Sequence, residues 1–137
     1  MIFAGKVIQG WNGEIIGEAL VTRLKISFLG DVDLNTGLIV GKDLDIRGHN
    51  VKDKILVFPE GRGSTVGSNV LYGLARKGLA PKLIAVQHAE PITISGAIYG
   101  AVPMVSDIPF ELFEYLKTGE RVRAWIFREN ANIEVVG

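Results

Sequence analysis

The residues best suited to chemistry fall in one stretch, Pro59-Glu60-Gly61-Arg62-Gly63-Ser64-Thr65-Val66-Gly67-Ser68-Asn69. Three glycines and three hydroxyl residues occupy positions 61–68, between an apolar run and a segment with helical spacing. Gly61, Gly63 and Gly67 let another group approach the backbone closely. A loop that feeds a helix presents free N–H groups and the positive end of the helix field, which suits a phosphate or carboxylate. The forked guanidinium of Arg62 recognises the same anions. Arg62, Gly63, Thr65, Gly67 and Ser68 are therefore the candidate contacts to a bound anion.

Ser64 is the candidate catalytic group. A serine hydroxyl is a poor base in water; it accepts a proton only where N–H groups, a helix start and cations stabilise its alkoxide. No His-Asp relay lies near Ser64 in sequence, so the pattern points to electrostatic activation and away from a peptidase triad. The loop is not a Walker loop, since no Lys-Ser/Thr pair follows at the required place. Val66 stands where a dinucleotide fingerprint needs its third glycine, and also where a hydrolase elbow after Ser64 needs one. The same residues also fit a plain glycine-rich turn capped by Thr65 or Ser68.

Other polar residues have simpler readings. His49 in Gly-His-Asn and His88 before Ala-Glu-Pro read as loop histidines. Asp31 and Asp33 share one side of an extended segment and suit backbone capping better than metal binding. The chain has no cysteine, so thiolate metal sites and disulfides within it are excluded. Lys plus Arg and Asp plus Glu balance at 15 each, so no bulk field draws in nucleic acid or an anionic membrane. No apolar run reaches the length of a membrane span, and the first residues lack the order of a secretory signal. The expected location is the cytoplasm.

The elements that must position the loop follow from patterning. Strands are expected at 2–8 and 15–22 around the turn Asn12-Gly13, and at 24–29, where Leu24, Ile26 and Phe28 alternate with polar residues. Positions 30–37 read as a loop, 38–40 as a short strand and 43–50 as irregular chain. Ile55-Leu56-Val57 marks a buried strand stopped by Pro59. A helix is expected at 67–77, with Arg76 and Lys77 in its last turn, Gly78 at its C′ position and Pro81 beyond. Leu83-Ile84-Ala85-Val86 then completes a βαβ crossover with parallel strands. Positions 92–94 and 97–99 are short apolar segments broken by Gly96 and Gly100. A short helix near Pro109 and strands at 121–127 and 133–136 close the chain. With 137 residues and 17 glycines, this predicts one α/β, barrel-like domain over 1–137, of mixed short strands and one main crossover helix.

Several of these pieces carry a resemblance. Gly30-Asp31-Val32-Asp33, Thr36-Gly37, Gly48-His49, Ile55 to Pro59, Gly61-Arg62-Gly63-Ser64, Gly67-Ser68, Gly78-Leu79-Ala80-Pro81, Gly96-Ala97-Ile98, Ile108-Pro109 and Thr118-Gly119 follow one another in the order and spacing of a known family. The chain resembles the small subunits of the aconitase-X group, above all those of archaeal phosphomevalonate dehydratases, which correspond to the swivel domain of aconitase. The resemblance runs over nearly the whole length. It implies a swivel-like β/β/α barrel-like fold and a hydro-lyase active only with a large subunit. That partner would carry a 4Fe-4S cluster, and the reaction would dehydrate (R)-5-phosphomevalonate to trans-anhydromevalonate 5-phosphate in isoprenoid biosynthesis. The family's proton-accepting serine maps onto Ser64, and its glycine surround onto Gly61, Gly63 and Gly67.

One departure stands in the loop. Aconitase follows its catalytic Gly-Ser-Ser with an arginine, whereas Thr65 here precedes Val66, leaving Arg62 as the nearest substitute. Two alternatives stay open on the sequence. One is a dehydratase or isomerase subunit for another hydroxy acid, such as a hydroxyproline; the other is a non-catalytic module that binds an anion or a protein.

Overall fold

Ile55-Leu56-Val57-Phe58 and Leu83-Ile84-Ala85-Val86 carry no polar residue, the composition of strands covered on both faces. The computed structural model, which describes residues 1–62 and 66–136, buries all eight completely. They form β3 (Lys54–Phe58) and β4 (Leu83–Val86), paired in parallel with Ile55 opposite Leu83 and Phe58 opposite Val86. Alternate residues serve two cores, as the period-2 geometry of a strand requires. Ile55, Val57, Leu83 and Ala85 face a barrel interior shared with Val105, Val122, Ala124 and Ile133. Leu56, Phe58, Ile84 and Val86 face an outer layer with Leu71, Leu74 and Ala97.

Five further strands complete the ring: β1 (Ile2–Gln9), β2 (Gly13–Val21), β5 (Met104–Ser106), β6 (Arg121–Phe127) and β7 (Asn130–Val135). Their order is β1-β5-β4-β3-β2-β6-β7, and β7 pairs back onto β1 to close the barrel. The run from β2 through β3 and β4 to β5 is parallel, and the remaining pairs are antiparallel. The Asn12-Gly13 turn does not make a hairpin: β1 pairs with β5 and β7, β2 with β3 and β6.

The expected crossover helix forms as α2 (Val66–Arg76) between β3 and β4. Val70, Leu71 and Leu74 bury its inner face, each full burial contributing roughly 1.5–3 kcal/mol. It ends as the sequence foretold. Gly78 takes φ +72°, its N–H donates to the Ala75 carbonyl at 3.1 Å and that of Leu79 to Leu74 at 2.8 Å, a Schellman closure.

Three segments differ from expectation. The apolar pieces at 92–94 and 97–99 belong to a single second crossover helix, α3 (Pro91–Gly100), which joins β4 to the parallel β5. Its glycines are contact points for α2: a Cβ on Gly96 would stand 3.0 Å from Leu71 Cβ, and one on Gly100 2.9 Å from Ala75 Cβ. The barrel therefore carries two crossover helices packed side by side, where one main helix was expected. The 24–29 alternation keeps only a lone parallel bridge from Ile26 to Gly61, and Phe28 opens the single turn α1 (Phe28–Asp31). Leu38, Ile39 and Val40 form no continuous strand; Leu38 bridges Asn50 and Ile39 bridges Val32. The helix near Pro109 is α4 (Glu111–Tyr115), whose Leu112 and Phe113 plug the barrel interior.

Candidate active site

β3 and β4 end side by side, and both chains then turn into helices, so the starts of α2 and α3 lie at one edge of the parallel sheet. Crevices at the carboxyl ends of parallel strands are the usual ligand sites of such sheets. The loop leaving β3 is fixed from two directions. On one side, the Pro59 carbonyl accepts from the N–H groups of Gln87 and His88, both at 3.0 Å. On the other, Arg62 N–H donates to the Ile26 carbonyl at 2.9 Å and Ile26 N–H to Glu60 at 3.4 Å.

Glu90 locks this edge from α3. It is the N-cap, accepting from Ile92 N–H at 3.0 Å and Thr93 N–H at 2.6 Å, and the Thr93 hydroxyl donates to the same carboxylate. Pro91 follows at the first helical position, where its missing N–H costs nothing. Gly61 is buried against this cap: a Cβ there would stand 2.5 Å from Glu90 Oε1 and collide with the Thr93 hydroxyl. The glycine at 61 is thus a close-packing requirement, with no positive φ involved.

Beyond Gly61 the loop reaches a cleft of about 250 Å³. Lys25, Lys42 and Arg62 line it together with Asp31, Asp43, Leu24 and Leu44. Lys25 Nζ stands 2.9 Å from Glu60 Oε1. That hydrogen bond, against a partial desolvation cost and with the added charges of Lys25 and His88, holds the Glu60 carboxyl below its ordinary value of 4.5. Asp31 is buried and accepts the Ser27 N–H at 2.8 Å, and Asp33 accepts from Asn35 N–H at 2.8 Å, so both serve the loop backbone. His49 and His88 are exposed.

Of the residues expected to act, Arg62 is exposed at the cleft. Gly67 and Ser68 lie in the first turn of α2, and the Ser68 Cα stands 3.2 Å from where a Cβ on Gly96 would be. Gly63, Ser64 and Thr65 lie outside the described residues. Sequence reading missed Lys25 and Lys42, which come from two separate loops and have no motif in common with Arg62. The iron–sulfur cluster implied by the resemblance finds no ligand set here: there is no cysteine, and no group of three metal-binding side chains occurs among the described residues. No helix among them is long and apolar enough to cross a membrane.

A closed mixed barrel with two parallel crossover helices, and a glycine-serine loop between the strand ends and the first helix, is the form of a swivel domain. The family model for the aconitase X swivel domain matches residues 3–134, and the chain belongs to that family. It is 55% identical over 108 residues to the phosphomevalonate dehydratase small subunit of Thermococcus sibiricus, covering 79% of this chain and 82% of that one. The Archaeoglobus fulgidus protein of the same name is 48% identical over 89% of this chain and 90% of its own. A chain of the crystal structure of Thermococcus kodakaraensis aconitase X, in its holo form, superposes with a TM-score of 0.87 at 42% identity, over 98% of each chain.

Proposed function

We propose that this chain is the small subunit of a phosphomevalonate dehydratase, active only with its large subunit, and that Ser64 is its proton acceptor. The observation that supports this most is the likeness, over nearly the full length of both chains, to proteins bearing that name. In this reading Ser64, as alkoxide, takes the proton from the carbon next to the substrate carboxylate, the C–H electron pair forms the C=C bond, and the hydroxyl on the neighbouring carbon departs as hydroxide; that hydroxide gains a proton to become water, and loss of the proton from Ser64 restores the alkoxide. The start of α2 supplies N–H dipoles and Arg62, two residues before Ser64 in the chain, supplies positive potential, the two influences that make a serine alkoxide attainable. The 4Fe-4S cluster belongs to the large subunit, since this chain offers no thiolate. Arg62 contacts an anionic group of the substrate, with Gly63, Thr65, Gly67 and Ser68 around it.

The test is anaerobic co-expression with the large subunit, purification of the complex, and assay of (R)-5-phosphomevalonate dehydration. The expected result is turnover by the pair and by neither chain alone. Ser64→Ala, in a complex that still assembles, should lose ~10²-fold or more in kcat. Near-native rates in that variant would remove Ser64 from the chemistry, and a pair without dehydration of this substrate would overturn the reading itself.

A further inference from the structure

We infer that Lys25 and Lys42 complete, with Arg62, a subsite for the substrate's phosphate, in the cleft beside the glycine-serine loop. The inference rests on the dehydratase reading and adds which end of the substrate this chain holds and with which residues. Lys25, Lys42 and Arg62 all line one cleft of about 250 Å³, enough room for a phosphate group. Against them stand Asp31 and Asp43. Asp31 is buried with one oxygen on the Ser27 N–H, so its charge is partly met by the loop backbone. Lys25 is held in place by Glu60 at 2.9 Å, which neutralises part of its charge but fixes its position at the wall.

Arg62 and Lys42 are exposed, and their side chains make no hydrogen bond or ion pair among the described residues. Their donors are free for a ligand. A carboxylate is satisfied by one forked guanidinium, whereas a phosphate dianion has three acceptor oxygens and about two charges to distribute. A forked donor beside two ammonium groups matches the second demand better.

Two measurements test this. In the assembled enzyme, Lys42→Gln should raise KM for (R)-5-phosphomevalonate about tenfold or more while kcat changes little, the size expected for one lost charge-assisted contact. Lys42→Arg should recover most of the loss. An unchanged KM in Lys42→Gln overturns the subsite even if the wild-type pair turns over phosphomevalonate, so its failure is separable from failure of the dehydratase reading. Independently of any turnover, the full chain titrated with inorganic phosphate should show saturable amide shifts at Lys25, Lys42 and Arg62, and acetate at equal concentration should not reproduce them. Absence of saturation, or an equal response to acetate, assigns the cleft no phosphate preference and overturns the inference.

Discussion

The Thr93 hydroxyl stands where a side chain on Gly61 would have to go, so the cap of α3 sets the path of the loop that leaves β3. The two elements are joined by shape: the glycine admits the threonine, and the threonine, bonded to Glu90, stays in place.

That contact makes Gly61→Ala a sensitive probe. The added methyl must displace Thr93 or Glu90, and overpacking of this kind costs about 1–3 kcal/mol. Urea denaturation should show the loss. Gly61→Ala combined with Thr93→Ala should be less destabilised than the sum of the two single changes, because the second removes the nearer of the two atoms in the way and frees the Glu90 carboxylate to shift. Strict additivity would mean that the clash is relieved elsewhere.

The Lys25–Glu60 bond gives a pH dependence with a definite sign. The folded state holds Glu60 below its ordinary 4.5, so just under that pH the unfolded chain binds more protons than the folded one. The contribution of Glu60 to stability is therefore present above about pH 4.5 and is lost as pH falls through the depressed value. Carboxyl NMR should find the Glu60 midpoint below 4.5, and Lys25→Met should bring it back up. A midpoint unmoved by Lys25→Met would show that the ion pair does not set it.

Gly96 tests the two-helix layer. A Cβ there would stand 3.0 Å from Leu71 Cβ and 3.2 Å from Ser68 Cα, neither the end of a flexible side chain. Gly96→Val should destabilise the fold by roughly 2–3 kcal/mol, with the loss visible as a lower Tm. It should also lower kcat in the assembled enzyme, since α2 begins at the loop that carries Ser64. A variant as stable as the parent would mean that the helices separate freely.

What could be read from sequence, and what could not, follows from where each signal sits. β3, β4 and α2 were legible because uninterrupted apolar runs and the Arg76-Lys77-Gly78 ending are local patterns. α3 was not, because Ile92, Thr93, Ile94 and Ile98 favour strands and the two glycines look like breaks. Packing against α2 outweighs those preferences, and the one local clue was Glu90-Pro91, an acid at the cap and a proline at the first position. β5 is three residues long, too short for a period to show. Leu24 pointed to a strand, yet it is 45% exposed, because Ile26 alone makes the bridge and the chain turns helical at Phe28. At the site, Arg62 stood out within its loop, while Lys25 and Lys42 meet it only through the long-range Ile26–Gly61 pairing and the fold of the 30–50 loop.

The pairing of β7 with β1 has a consequence for assembly. A sheet with two ends can accept another chain as an additional strand; a ring of strands has no terminus at which that extension can start. A second protein must instead recognise this chain through its side chains and the loops at the barrel rim, so specificity for the large subunit is written in those surfaces and can be altered there without unpairing a single strand.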